Sequence, residues 1–193
     1  MKKLLLVAVL FPFMVHARAD APIGLTWGAP ISDIVSKYKA KEIIEQNDLI
    51  IYELPNPPIT LPNFTSYKLL AHKQLGLIKV VLSEEITRDP YGVEGKNAYF
   101  KYKEALTKKY GKAESLEEIG LKVYRESDEF YQCLGYQGCG VYFSNFKQSG
   151  ISLLLEGNRH AEGKLKIIYE SDLFFEYYGD EDQQNEIKIY EGL

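Results

Sequence analysis

Apolar and polar positions recur with two different periods along the chain, and the switches between them mark out the elements. Ile31, Ile34, Val35 and Tyr38 fall on one helical stripe, and Pro30 suits the opening turn of that helix. The period returns at Tyr99, Tyr102, Leu106 and Tyr110, with Lys101, Lys103, Lys108 and Lys109 mostly off the stripe. After each helix the period drops to two. Leu49, Ile51 and Glu53 oppose Ile50 and Tyr52, and Leu121 and Val123 oppose Lys122 and Tyr124. Tyr67, Leu69 and Ala71 lead across Lys73 to Gly76 into LIKVVL, a hairpin pattern, and Val141 and Phe143 lead across Lys147 to Gly150 into ISLLL. A further strand, KLKIIYE from Lys164 to Glu170, has no clear mate in the first half. This order predicts an α+β fold of two helix-plus-antiparallel-meander units.

The two units also align with each other. Sliding the chain by 72 positions sets Lys37 on Lys109, Tyr38 on Tyr110, Glu42 on Glu114, Leu49 on Leu121 and Tyr52 on Tyr124. An offset of 74 sets Lys73, Gln74 and Gly76 on Lys147, Gln148 and Gly150. We read this as an internal duplication, with units over 20–90 and 91–171. The connector of the first unit, LPNPPITLP, is held extended by Pro55, Pro57, Pro58 and Pro62. That of the second carries Cys133 and Cys139, the only cysteines in the chain.

The N-terminus reads as a leader. Lys2 and Lys3 precede the apolar run Leu4 to Val15, too short for a bilayer but the length of a signal-peptide core. Ala17 and Ala19 form an A-x-A site, so residues 1–19 are expected to be removed; a cut after Ala21 would put Pro22 first. No cysteine near the cut offers a lipid anchor, and no later run suits a membrane helix, so no membrane association is expected after cleavage. Export to a periplasm or beyond makes a Cys133–Cys139 disulfide the expected state of the pair.

Charge narrows the partners. The formal net charge is −4, which argues against a nucleic-acid binder, and loss of Lys2, Lys3 and Arg18 would make the chain more acidic still. The acidity is concentrated in 172–193, where Asp172, Glu176, Asp180, Glu181, Asp182, Glu186 and Glu191 face one base, Lys188. Such a segment suits a basic partner.

Catalytic parts are scarce. His16 leaves with the leader, His72 sits in a strand pattern and His160 in a turn, GNRHAEG, where satisfied or solvated imidazoles are expected. G-x-S-x-G, H-E-x-x-H and phosphate-cradling glycine loops are all missing from the sequence. The carboxylate pairs Glu84 with Glu85 and Asp180 with Asp182 read as solvated charge, and no metal or cofactor is expected. The chain is therefore expected not to be an enzyme.

Aromatic residues are in surplus, with 15 Tyr and 9 Phe. Tyr38, Tyr102 and Tyr110 read as core, and Trp27 is expected to pack where GLTWG enters the first helix. Phe130, Tyr131, Leu134 and Tyr136 lie in or beside the cysteine loop, Tyr91 in the hinge between units, and Phe174, Phe175, Tyr177 and Tyr178 at the start of the acidic segment. Tyr gives large contact area at low entropic cost, so Phe130, Tyr131, Leu134, Tyr136, Tyr91, Tyr177 and Tyr178 are the candidate binding residues. The expected function is an exported protein-binding module, an inhibitor or immunity-type partner of a toxin. The alternatives are a small-molecule or glycan binder with a Tyr-rich cleft, and third an unrecognised hydrolase.

The opening GLTWG followed by Pro30, a short strand and then a helix, resembles the start of many small exported Gram-negative proteins of unknown function. The tandem helix-plus-meander plan with a small disulfide loop resembles the β-lactamase inhibitory protein, from which this chain departs in having one disulfide rather than one per unit. That resemblance implies a sheet surface that grips a partner protein through aromatic residues.

Overall fold

The computed structural model of the protein describes residues 18–120 and 123–179. Residues 1–17, which hold most of the expected signal peptide, Leu121, Lys122, and the acidic stretch from Asp180 onward lie outside the described residues.

Helix α1 spans Ile31–Tyr38, with Pro30 immediately before it and Ile34 buried. The first meander follows as β1 Lys41–Gln46, β2 Leu49–Glu53, β3 Ser66–His72 and β4 Gly76–Ile86. Helix α2 is Val93–Tyr110, and the second meander runs β5 Glu114–Ile119, β6 Gly140–Phe146, β7 Ile151–Gly157 and β8 Gly163–Glu170. A short helix, α3 Phe130–Leu134, sits between β5 and β6. The described chain ends in a helix over 172–179, α4. Ser171 caps α4: its Oγ accepts from the Phe174 N–H (3.2 Å) and donates to the Ile78 carbonyl (2.8 Å). The fold is α+β, with helix-plus-meander organisation in each half. GLTWG forms no strand, because a 3₁₀ turn over Pro22–Gly24 and a further turn take its place.

All eight strands form one antiparallel sheet in the order β1-β2-β3-β4-β8-β7-β6-β5. The strand without an apparent mate, KLKIIYE, is β8, and it pairs with β4 along Lys79↔Glu170 to Ile86↔Gly163. Each half thus gives its fourth strand to the centre of the sheet. Tyr38 and Tyr110 are the last residues of α1 and α2, and Glu42 and Glu114 fall in β1 and β5. Beyond that the aligned pairs part. Leu49 to Tyr52 are in β2, whereas Val123 and Tyr124 are in no strand. Gly76 opens the fourth strand of its meander, whereas Gly150 precedes the third. The long connectors explain the slip: the proline-rich one joins β2 to β3, and the one carrying the cysteines joins β5 to β6.

One core serves both halves. Ile34, Tyr99, Leu106, Phe130 and Tyr131 from the helices meet Tyr52, Tyr67, Leu69, Val80, Leu82, Leu153, Leu155, Leu165 and Ile167 from alternate strand positions. Trp27 packs half-buried against this core and donates its indole N–H to the Ala19 carbonyl (2.9 Å).

Cys133 and Cys139 form the disulfide, with both residues 1% exposed. Main-chain bonds from Tyr136 N–H to Cys133 O (3.1 Å) and from Cys139 N–H to Tyr136 O (3.0 Å) already close the loop. Replacing both cysteines with Ser should therefore leave a folded chain. A loop this short contributes about 2–2.5 kcal/mol in the chain-entropy model, so the melting temperature should fall by roughly 5–10 °C in a calorimetric scan.

The open face of the sheet as candidate functional site

Alternation puts half of each strand on the face turned away from the core. One register row crosses all eight strands: Lys41, Glu53, Lys68, Val81, Ile168, Ser152, Asn145 and Glu114. It is charged at its flanks and apolar at its centre. Beside it run the rows Ile51–Leu70–Lys79–Glu170 and Ser66–Ser83–Lys166–Leu154–Phe143–Leu116. Most of these apolar residues are half-buried, and Leu116 is exposed.

On the β1-to-β8 side this face deepens into a groove of about 880 Å³. Its floor is Leu49, Ile51, Leu70 and Val81, and Lys68, Lys79, Lys164 and Lys166 line it with Glu53 and Glu85. Phe174, Tyr177 and Tyr178 of α4 form one wall. Ion pairs hold most of the lysines in place: Lys79–Glu170 at 2.7 Å, Lys164–Glu85 at 2.5 Å and Lys166–Glu156 at 2.6 Å. Helix α4 is seated by Phe174 under the Lys79 ammonium (4.7 Å to the ring centroid) and by Tyr177 against His72 (4.9 Å between rings).

The candidate binding residues divide between the two sides of the sheet. Phe130 and Tyr131 are core, not contact surface: Phe130 is 7% exposed and Tyr131 wholly buried. Leu134 is half-buried against the same core. Tyr136 and Tyr91 are exposed, Tyr136 edge-on to Tyr124 at 6.1 Å. Only Tyr177 and Tyr178 line the groove. The aromatic surplus therefore does not converge on one patch. The groove residues passed over in the sequence, Lys68, Leu70, Lys79, Val81, Lys164 and Lys166, sit at strand positions opposite in phase to the buried ones.

The titratable residues fall into place as structural parts. His72 is buried, and its Nδ1 accepts from the N–H groups of Gln74 (3.1 Å) and Leu75 (3.2 Å), which closes the β3–β4 turn and leaves the ring proton on Nε2. His160 is exposed in a turn held by the Asn158 side chain. Tyr99 and Ser144, with Glu117, Lys103 and Ser115, make a bonded network that ties β5 and β6 to α2. Tyr99 and Ser144 are wholly buried, so no substrate reaches those hydroxyls. Burial pushes the Tyr99 hydroxyl above its ordinary range.

Glu84 and Glu85 are not a pair, because successive strand residues face opposite ways. Glu85 bridges Lys164 outside, while Glu84 is buried on the core face with Oε2 lacking a hydrogen-bond partner. Burial raises its pKa, and Asn63 and Lys101 oppose the shift. A raised folded pKa favours the protonated native state: stability is complete below the unfolded value near 4.5 and is lost as pH climbs through the folded one. Glu84→Gln should thus melt higher than the parent at pH 7, and the difference should close as pH falls below 4.5.

Among the described residues, no group of three or more His, Cys, Asp or Glu is placed to hold a metal ion, and no helix is long and apolar enough to cross a membrane. No family model, curated protein or solved structure matches the chain.

Proposed function

We propose that this is an exported, non-catalytic protein-binding module that grips a partner on the open face of its sheet. One observation carries this reading: an apolar strip with charged margins continues across the strands, from Ile51 and Leu70 through Val81 and Ile168 to Leu154, Phe143 and Leu116. Eight strands spaced at about 4.8 Å make a face roughly 34 Å wide, the scale of a protein contact. An apolar centre within a polar rim is the anatomy of such contacts. A partner strip flanked by acidic residues fits the groove lysines, and a basic patch on the partner suits the acidic segment that follows α4. Within this reading, an inhibitor or immunity-type role is the form of the activity we propose.

A small-molecule or glycan ligand is the second reading, favoured by the groove itself. Its volume is within the range of small-ligand sites, and Phe174, Tyr177 and Tyr178 offer ring faces.

Two substitutions separate the readings. Val81→Asp changes the groove, and Leu154→Asp changes the strip beyond it. With a partner captured from a periplasmic extract and measured by calorimetry, the protein reading expects each substitution to weaken binding at least tenfold, about 1.4 kcal/mol. Loss with Val81→Asp alone confines the contact to the groove, and unchanged binding in both variants refutes the open face as the site. Capture of a small molecule instead of a protein, sensitive to Val81→Asp and not to Leu154→Asp, selects the second reading.

A further inference from the structure

We propose that the leader is cut between Ala17 and Arg18, two residues before the A-x-A spacing indicates, and that the freed Arg18 clamps the groove wall. The inference rests on the export reading above. A signal peptidase would hydrolyse the Ala17–Arg18 amide: water gives its oxygen to the Ala17 carboxylate, and the nitrogen leaves as the Arg18 ammonium.

The fold uses both residues that a cut after Ala19 would discard. Arg18 Nε donates to Asp172 Oδ1 at 2.9 Å, its Nη1 donates to the Lys147 carbonyl at 3.2 Å, and its guanidinium lies 3.8 Å from the centroid of Phe175. Ala19 is 8% exposed, with its N–H on the Ser149 carbonyl (3.1 Å) and its carbonyl accepting from Trp27 Nε1 (2.9 Å). A chain starting at Asp20 would leave the half-buried Trp27 indole without that acceptor, and Asp172 and Phe175 without their cation. A removed leader takes no part in the mature fold, so residues this well integrated belong to the mature chain. Val15 and Ala17 supply small, uncharged side chains at the spacing that Ala17 and Ala19 supply for the later cut, and Arg18 is not a proline. Both sites are legible; only the earlier one preserves the contacts.

The consequence reaches the groove. Asp172 and Phe175 belong to α4, whose Phe174, Tyr177 and Tyr178 wall it. Arg18 spans from the turn before β7, through Lys147, to that helix.

The first test is N-terminal sequencing and intact mass of the full chain expressed with its leader and recovered from the periplasm of a Gram-negative host. Arg-Ala-Asp-Ala-Pro is expected. A start at Asp20 overturns the cut and leaves export standing, whereas a chain still beginning at Met1 overturns the export reading and the cut with it. The second test is hydrogen exchange of the processed protein carrying Arg18→Ala or Asp172→Asn, the latter leaving the cut site untouched. Amides of 172–179 should exchange at least tenfold faster in both, with β4 and β8 unchanged, and Arg18→Lys, which keeps a cation and a donor, should retain part of the protection. Unchanged exchange in 172–179 overturns the clamp.

Discussion

Tyr131→Ala should cost about 3–5 kcal/mol, the range for deleting a large buried aromatic side chain, and lower the melting temperature by roughly 10–15 °C. Tyr131, a residue of α3, is wholly buried where the hinge, the start of α2 and the β7–β8 hairpin meet. Its hydroxyl donates to Asp89 Oδ2 at 2.8 Å, and the same carboxylate accepts from the Val93 N–H (2.8 Å) and the Gly95 N–H (3.0 Å) at the start of α2. Burial and the Asp89 carboxylate together hold the hydroxyl protonated far above its ordinary range. Around it, a Cβ on Gly157 would run into the Tyr131 main chain, and one on Gly163 into its ring. Tyr131→Phe keeps the ring and loses one donor to a buried carboxylate, for which about 1–3 kcal/mol is expected. Thermal denaturation of both variants checks the pair, and equal losses would show that the hydroxyl, not the ring, carries the site.

Gly76→Ala should be nearly as damaging, at about 2–5 kcal/mol, for a backbone reason. Gly76 has φ +72°, and an added Cβ would sit 2.5 Å from the carbonyl oxygens of both Gly28 and Ala29. The left-handed conformation costs a non-glycine residue about 1–2 kcal/mol, and overpacking against main chain adds about 1–3 kcal/mol. The neighbouring main chain cannot simply yield, because the Leu77 N–H donates to Ala29 O (3.1 Å) and the Gly28 N–H to Leu77 O (2.9 Å). Urea denaturation should show a lower midpoint at unchanged slope. The substitution leaves the groove lining intact, so partner binding by the folded fraction should survive it.

Periods in the chain are enough for α1, α2 and most of the inner strands, but not for the alternation at Val123 and Tyr124, which lies in no strand. The stripe Tyr99, Tyr102, Leu106, Tyr110 makes α2, and the alternation from Tyr67 to Ala71 and from Lys164 to Glu170 makes β3 and β8, because one side chain in two, or two in seven, must find apolar neighbours. Two cysteines in a short loop are enough for the disulfide. Alternation likewise separates Lys68, Leu70 and Lys79 from Leu69 and Val80.

What no local pattern contains is which face the helices cover and which strands meet at the centre. Lys79 and Glu170 are 91 positions apart, and Glu170 reaches the Lys79 ammonium that lines the groove only because β4 and β8 pair. Phe130 and Tyr131 read as loop aromatics because the space they fill is shaped by Gly92, Gly95, Gly157 and Gly163, glycines scattered along the chain whose small size matters only once they converge. Local pattern was sufficient for α1, α2 and the two faces of the inner strands, since those depend on neighbours within a few residues. The open face, the groove and the integration of Arg18 were decided by tertiary structure, since they depend on distant segments competing to bury the same apolar surface.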